Sequence, residues 1–406
     1  MDLNIDEIIK CYFKRSNILV NHQLKSYNEY VEKILPNIIS NYFPINMTFE
    51  TEKVKKITIN IININIGKPF TTENDGCSNL MMPNDARLRN YSYLANVIVD
   101  FESTITINEG DINIELEKKV IKNIIIGSIP ILLKSKYCIL NDTLYNDECE
   151  YDYGGYSIIN GNEKVIISQE RKVYNIPQIF KNNKPSTRYS HICEITSMEE
   201  KDYFMPKVSS IKITKKDNIY DNYLRVSLPH LKLEIPLLIL FKALGCLNDK
   251  EIIHYIIDND NSKLDNLMIK ILHLSIKEAS DIDTESEAIE YISKYINNNT
   301  YTLSDDKKLK YVREHVLKDY LIHLNSDLGK LFFTGYMVNK LLKCYLNVID
   351  FDDRDSYINK RIDCVGNLLG SLTHQCFNKI TKDLRNYITK EINSGIWNIS
   401  KNYNDI

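Results

Sequence analysis

The chain has 406 residues, of which 43% are hydrophobic and 26% are charged. This balance excludes wholesale disorder, and the length predicts two or three domains of roughly 100–200 residues each. The formal net charge of -3 excludes a global positive field, so any contact with nucleic acid must come from local basic patches.

Cysteine usage and hydropathy indicate where the protein works. The nine cysteines are scattered and include no CxxC pair, which is typical of reduced thiols inside cells. A zinc site at His191-x-Cys193 would need a second ligand pair of suitable spacing, which the sequence lacks. No run reaches the ~18 apolar residues of a membrane span, and the acidic N-terminus differs from a signal peptide. We therefore expect an intracellular, soluble protein with no membrane partner.

The first part of the chain predicts helices and then a sheet. Helical spacing of apolar residues occurs over 5–13 and 26–42. The stripe expected to face a core in the second helix consists of Tyr27, Tyr30, Val31, Ile34, Leu35, Ile38 and Ile39. From residue 53 to 101 the period changes to two, as in a strand, with Ile57, Ile59 and Ile61 on one face.

The segment 83–90 carries two arginines, Arg87 and Arg89, which would point to the same side of an extended backbone. A guanidinium fork matches phosphate and carboxylate equally well. Two interpretations therefore stay open for this pair, namely contact with nucleic-acid phosphates and internal ion pairs.

A tight hairpin is predicted at 156–168, with one strand at 156–159 and a second at 164–168. Its turns use residues that tolerate left-handed backbone conformations: Gly154, Gly155, Asn160 and Gly161. Alternation in the second strand places Val165 and Ile167 on an apolar face and Lys164 on the opposite, polar face. The hairpin would thus present a basic side chain that could contact nucleic acid.

Helices dominate the later part of the chain. The polar, basic stretch 181–188 predicts a linker, and strands are expected at 207–213 and 223–228. A helix should begin after Pro236 and end at Gly245. Asn248 or Asp249 can cap the next helix, Thr284-x-x-Glu287 is a capping box, and further helices are expected at 311–324 and 328–346.

Clustered carboxylates at 350–355 suggest Mg²⁺ binding, as in a metal-dependent nuclease or nucleotidyl transferase. The alternative, structural interpretation is an ion-pair network, in which acidic residues pair with Arg354, Lys360 and Arg361. We favour this network, whose core members are Asp352, Asp353, Arg354 and Asp355. Lys360 and Arg361 are also candidates for contact with nucleic acid.

Several of these segments resemble, in order, the second-largest (beta-like) subunit of multi-subunit DNA-directed RNA polymerases. The eukaryotic, archaeal and large-DNA-virus branch is the most similar. The resemblance is carried by Leu19-Val20 with 23–30 and by residues 83–93, 127–140, 152–171, 236–245, 332–342 and 352–369. In that family Lys164 matches a lysine near the RNA–DNA hybrid.

The resemblance implies an α+β fold with a discontinuous domain. A mixed α/β protrusion would comprise 1–174 and 350–406, and a largely helical lobe, 175–349, would be inserted into it. Together they would form one wall of the DNA cleft of a nucleotidyltransferase that this chain alone does not complete. The chain would then be either a naturally split subunit or a fragment.

Partners and cofactors follow from the same resemblance. We expect the largest polymerase subunit, the rest of the second-largest subunit, the DNA template, the RNA–DNA hybrid and transcription factors. No cofactor is expected on this chain, and Mg²⁺ is expected in the assembled enzyme, whose metal-binding aspartates belong mainly to the largest subunit. The location would be the nucleus or, for a viral protein, a cytoplasmic factory or virion. The alternative is a free-standing DNA-binding or interaction module without polymerase activity.

Overall fold

A computed structural model divides the chain into two compact units. Unit 1 comprises Met1–Glu170 and Ile362–Ile406, and unit 2 comprises Arg171–Arg361. The described residues are 5–13, 18–49, 56–73, 75–109, 112–141, 148–149, 151–182, 188–199, 205–216, 221–257, 263–296 and 305–394, without the side chains of 107–117. Most of the predicted linker, residues 183–187, and the tail around Trp397 lie outside them.

Unit 1 begins with three helices, and the apolar stripe of the second and third is buried. They are α1 (Ile5–Phe13), α2 (Asn21–Glu29) and α3 (Leu35–Asn41), with a π-helical turn at Tyr30–Ile34 between the last two. The stripe predicted from Tyr27 to Ile39 is confirmed, since all seven of its side chains are at most 2% exposed. The π-helical turn lies inside the predicted helix and was not foreseen.

The strands of unit 1 form one sheet and two short ribbons. They are β1 (Ile45–Thr48), β2 (Lys56–Ile66), β3 (Phe70–Thr72), β4 (Ser78–Leu80), β5 (Leu94–Glu109), β6 (Ile112–Pro130), β7 (Ser157–Ile159) and β8 (Asn162–Lys164). The sheet has the order β1-β2-β5-β6, and every neighbouring pair is antiparallel. β3–β4 and β7–β8 are two-stranded ribbons, and helix α4 (Pro83–Leu88) lies between β4 and β5 in the chain.

Unit 2 combines an antiparallel sheet with helices. The chain leaves unit 1 in β9 (Gln169–Lys172) and builds a meander from β10 (Gln178–Lys181), β11 (Tyr189–Ser197), β12 (Lys207–Thr214), β13 (Leu224–Ser227) and β14 (Ile235–Pro236). Its helices are α5 (Leu237–Ala243), α6 (Asp249–Ile256), α7 (Lys263–Glu278), α8 (Glu285–Ser293), α9 (Asp305–Tyr311) and α10 (Asp327–Tyr345), with a π-helical turn at Val312–Leu317.

Helix caps in unit 2 follow the sequence. The Asn248 side chain accepts a hydrogen bond from the backbone N–H of Lys250, and Thr284 and Glu287 form the predicted capping box.

A lysine is buried in the core of unit 2. The Lys242 ammonium donates to the carbonyl oxygens of Ala279 and Ile282 at 2.9 and 2.7 Å, which satisfies a charge that would otherwise be costly to bury.

An interior strand of the unit 2 sheet carries a buried histidine. His191 on β11 is 7% exposed and stacks on Phe351 with ring centroids 5.6 Å apart. Burial, assisted by the positive charge of Lys181, lowers the pKa of His191 to about 4. The imidazole is therefore neutral near pH 7.

The chain returns to unit 1 through β15 (Lys360–Asp363) and ends, within the described residues, in the long helix α11 (Val365–Asn393). α11 lies directly against α2, because a Cβ at Gly366 would be 2.1 Å from the Ser26 carbonyl oxygen. The Tyr30 hydroxyl also lies 2.7 Å from that of Thr373 on α11. Helices and antiparallel sheets coexist in the chain, which confirms the α+β class.

Candidate nucleic-acid interface

The hairpin predicted to carry a basic side chain is made of β7 and β8. Its register pairs Ile159 with Asn162, so Asn160 and Gly161 form a two-residue loop. Both loop residues have positive φ, 50° and 75°, as a type I′ turn requires. Backbone geometry therefore fixes the position at which β8 ends, with Lys164 as its last residue.

Backbone hydrogen bonds tie the hairpin to the rest of unit 1. Tyr93 donates its N–H to the Ile158 carbonyl, and Gly161 donates to the Tyr91 carbonyl, both at 2.9 Å. Ile158 is fully buried. The hairpin is thus part of the packed fold and not a projecting finger.

The double glycine before the hairpin allows a close approach of two backbone segments. Gly154 has φ 69°, and a Cβ there would lie 2.6 Å from the Leu133 carbonyl oxygen. That same oxygen accepts the N–H of Gly155 at 2.9 Å, and the Asp152 carboxylate accepts the N–H of Gly154 at 2.8 Å. A larger residue at 154 would be strained in conformation and would clash.

Arg87 on α4 clamps the hairpin with its whole guanidinium. Nη1 contacts Glu148 at 2.7 Å, Nε contacts Glu163 on β8 at 2.8 Å, and Nη2 donates to the Tyr156 hydroxyl at 2.9 Å. Tyr156 in turn donates to the Asp152 carboxylate at 2.6 Å. The guanidinium is therefore engaged on three sides by partners in or next to the hairpin.

The electrostatics of this clamp favour a permanently charged arginine. Partial burial alone would lower the pKa of Arg87, but the Glu148 carboxylate and Tyr156 raise it above its ordinary value. Burial, assisted by the Asp152 charge, raises the pKa of Tyr156, so its hydroxyl stays protonated. Both groups keep fixed donor and acceptor roles across the physiological pH range.

Arg89 is directed elsewhere. The segment 83–90 contains helix α4 and is not extended, so the condition under which the two arginines would point to one side is not met. Arg89 caps the end of α4 and pairs with Glu73 at 2.5 Å, with both side chains more than a third exposed. A helix does not place residues two apart on the same face, which explains the separate partners.

Lys164 is exposed at the end of β8. The strand predicted to continue to 168 stops there, and the apolar face expected beyond it is not buried. Val165 is 63% exposed and Ile167 is 78% exposed. The alternation of apolar and polar residues was misleading, because the hairpin pairing ends at Lys164 and residues 165–168 have no partner in β7.

The carboxylate cluster in unit 2 does not converge on one point. The Asp352 carboxylate pairs with Lys340 at 2.9 Å and accepts the N–H of Ile179 at 2.8 Å. The Asp353 carboxylate accepts the N–H of Asp355 at 2.9 Å, a local turn contact. Among the described residues, no three His, Cys, Asp or Glu side chains are grouped so that they could hold a metal ion.

The printed contacts of Arg354 and Arg361 in the same segment are to groups other than these aspartates. Arg354 lies 4.0 Å from Glu194 and stacks on Phe180, with its guanidinium carbon 3.9 Å from the ring centroid. Lys360 is half-buried on β15. The exposed Arg361 donates from Nη1 to the Lys360 carbonyl at 2.7 Å.

Two features of the site were missed in the sequence. Asp152-x-Gly154 is the spacing of an Asx turn and could have been recognised as one. Glu148 and Lys340 carry no local signal, because each is a single charged residue in a chain rich in charge. Their roles come from partners brought close by folding.

The chain matches the family model described as RNA polymerase beta subunit over residues 18–403. The part of the chain that the structure describes has no helix long and apolar enough to cross a membrane.

Several longer relatives are similar to the chain. The chain is 33% identical to DNA-directed RNA polymerase II subunit 2 of Arabidopsis thaliana, across 96% of this chain and 34% of the relative. It is 30% identical to DNA-directed RNA polymerase subunit 2 of Acanthamoeba polyphaga mimivirus, across 91% and 32%. For subunit Rpo2N of Methanothermobacter thermautotrophicus the identity is 28%, across 96% and 75%. The chain thus spans about a third of the length of the eukaryotic and viral relatives.

Proposed function

Since the chain belongs to the RNA polymerase beta subunit family, we propose that it is the N-terminal part of the second-largest subunit of a DNA-directed RNA polymerase. In this role it forms one wall of the DNA cleft and contributes to DNA-templated transcription. The match of the family model to residues 18–403 carries this proposal.

We propose that unit 1 corresponds to the protrusion and unit 2 to the lobe. The proposed domains are 1–174, 175–349 and 350–406. The division after Glu170 lies close to the first of these boundaries, whereas the return at Ile362 lies 12 residues after the start of the third domain at 350. The partners in this proposal are the largest subunit, the rest of the second-largest subunit, DNA template, RNA–DNA hybrid and transcription factors. The site of action would be the nucleus or, for a virus, its cytoplasmic factory or virion.

The mechanism proposed for this chain is electrostatic and mechanical. Lys164, at the end of a hairpin held by fixed turns and the Arg87 clamp, would neutralise a phosphate and so release counterions. Lys360 and Arg361 are proposed as further contacts to nucleic acid. Arg87 is better suited to hold the hairpin, because three partners already engage its guanidinium.

Bond making belongs to the assembled enzyme in this proposal, where Mg²⁺ would neutralise charge on the transferred phosphoryl groups. The carboxylates at 352–355 do not suit such an ion, because Asp352 is engaged by Lys340 and a backbone N–H. No step of the reaction is therefore assigned to residues of this chain.

The test is affinity purification of the tagged chain from its native source, followed by mass spectrometry. We expect a largest polymerase subunit and a polypeptide carrying the remainder of the second-largest subunit to accompany it in stoichiometric amounts. A chain that purifies alone, under salt conditions that preserve other multi-subunit complexes, would contradict the proposal.

A further inference from the structure

A groove on unit 2 has the chemistry of a nucleotide site. It encloses about 580 Å³ at the end of β10, a volume within the range of small-molecule sites. Its lining consists of Phe180, Lys181, Asn182, Ile192, Phe351, Asp352 and Arg354, all of which belong to unit 2.

One wall of the groove is a stacked cation. The Arg354 guanidinium lies 3.9 Å from the Phe180 ring centroid, yet 56% of the Arg354 side chain is exposed. The guanidinium therefore lies against the ring while the side chain remains accessible to solvent. Such a plane is a platform on which a nucleic-acid base can stack.

A second cation–aromatic pair lines the same groove. Lys181 Nζ lies 5.6 Å from the centroid of the Phe351 ring, which also stacks on His191 and is itself 40% exposed. Pairs of this kind attract anions through the cation and planar rings through the aromatic face. A nucleotide carries both groups, a planar base and an anionic phosphate.

The charges at the groove favour an anion. Asp352 is the one carboxylate in the lining, and Lys340 pairs with it at 2.9 Å. Glu194, beside Arg354, is also engaged by Lys172 at 2.7 Å. Within the lining, the two cations Lys181 and Arg354 are thus accompanied by one carboxylate, and that carboxylate is already paired.

We propose that this groove binds a nucleotide unit, with the base against the Phe180–Arg354 stack and the phosphate near Lys181. The inference rests on the proposed function in a polymerase, where single-stranded nucleic acid and free nucleotides are both present. An acidic peptide is the competing ligand, but it would use the two cations and leave the aromatic stack without a role.

The test uses the full chain and a short fluorescein-labelled oligo(dT), with binding followed by fluorescence anisotropy over a salt series. Arg354→Ala should weaken binding roughly 5- to 150-fold, since loss of one stacked base costs ~1–3 kcal/mol. Arg354→Lys should restore the salt dependence but not the affinity, because it keeps the charge and loses the plane. Phe351→Ala should also weaken binding.

Arg313→Ala is the matched control, because Arg313 is an arginine of the same unit with a 58% exposed side chain. It should leave affinity unchanged. Titration with dTMP distinguishes the source: saturable dTMP binding that Arg354→Ala removes indicates free nucleotides, and binding of oligo(dT) alone indicates a strand.

Three results would overturn the inference: equal affinity of the Arg354→Ala and wild-type chains, equal affinity for an abasic oligonucleotide, or Arg354-dependent binding of oligo-glutamate without that of oligo(dT). Any of these could occur while the chain still purifies with polymerase subunits. The proposal of nucleotide binding in the groove can therefore be refuted while the proposed function still holds.

Discussion

Replacing Arg87 by alanine should loosen the hairpin that presents Lys164. The substitution leaves the Glu148 carboxylate, only 8% exposed, without its cationic partner. Breaking a buried pair costs ~3–5 kcal/mol, and because 21% of the Arg87 side chain is exposed we expect about 2–4 kcal/mol. Hydrogen exchange of the β7 and β8 amides measures this loss as a fall in protection of roughly 30- to 900-fold.

Arg89→Ala provides the matched control two residues away. Its pair with Glu73 is exposed to solvent, so hairpin exchange should stay at the wild-type rate. Arg87→Lys should lie between the two, because lysine keeps the charge but cannot engage three partners at once. Equal exchange rates in the Arg87→Ala and Arg89→Ala variants would refute the assignment of Arg87 as the clamp.

Three further outcomes are expected. Lys164→Ala should slow elongation by the assembled complex without affecting assembly, and it should reduce the salt dependence of nucleic-acid binding by about one in slope. Lys294→Ala, at an exposed lysine of unit 2, should change neither elongation nor this slope. An unchanged slope in Lys164→Ala would contradict the phosphate contact. Gly366→Ala should remove about 1–3 kcal/mol from the free energy of unfolding in urea, because its Cβ would collide with a backbone carbonyl of α2; a wild-type midpoint would show that α11 does not pack there. Since the pKa of His191 is about 4 in the folded chain and ~6.5 in the unfolded chain, the contribution of His191 to the free energy of unfolding should fall as pH drops from 6.5 to 4 and then level off. His191→Phe should flatten this pH dependence, whereas His273→Gln, at an exposed histidine, should not. Equal slopes in the wild-type chain and both variants would refute the role of His191.

Local features of the fold could be predicted because the forces that create them act within a few residues. The buried stripe from Tyr27 to Ile39 follows from helical periodicity, and the capping box at Thr284 from hydrogen bonds within one turn. The positive φ angles of Asn160 and Gly161 follow from what those two residue types tolerate. Each of these outcomes depends on chemistry that the sequence displays directly.

Errors arose where distant contacts decide the outcome. The short helix at Pro83–Leu88 is an exception, because Pro83 at its first position is a local signal that favours a helix. The strand expected to continue after Lys164 ends there, since alternation describes a strand only where a partner strand exists to pair with it. Ion-pair partners are the least predictable, as Arg87 meets Glu148 and Glu163 across 61 and 76 residues of chain.

Those ion pairs also decide which basic residues remain suited to contact nucleic acid. With a net charge of -3, the chain offers no general attraction for phosphate, so the candidates must be judged one at a time. Arg87 and Arg89 each already have a carboxylate partner, and a phosphate would have to displace it. Lys164 stands exposed on a hairpin whose turns and backbone hydrogen bonds hold it in place, so a phosphate contact there would cost little reorganisation. The clamp at Arg87 and the contact at Lys164 are therefore complementary, since the first keeps rigid the element on which the second depends.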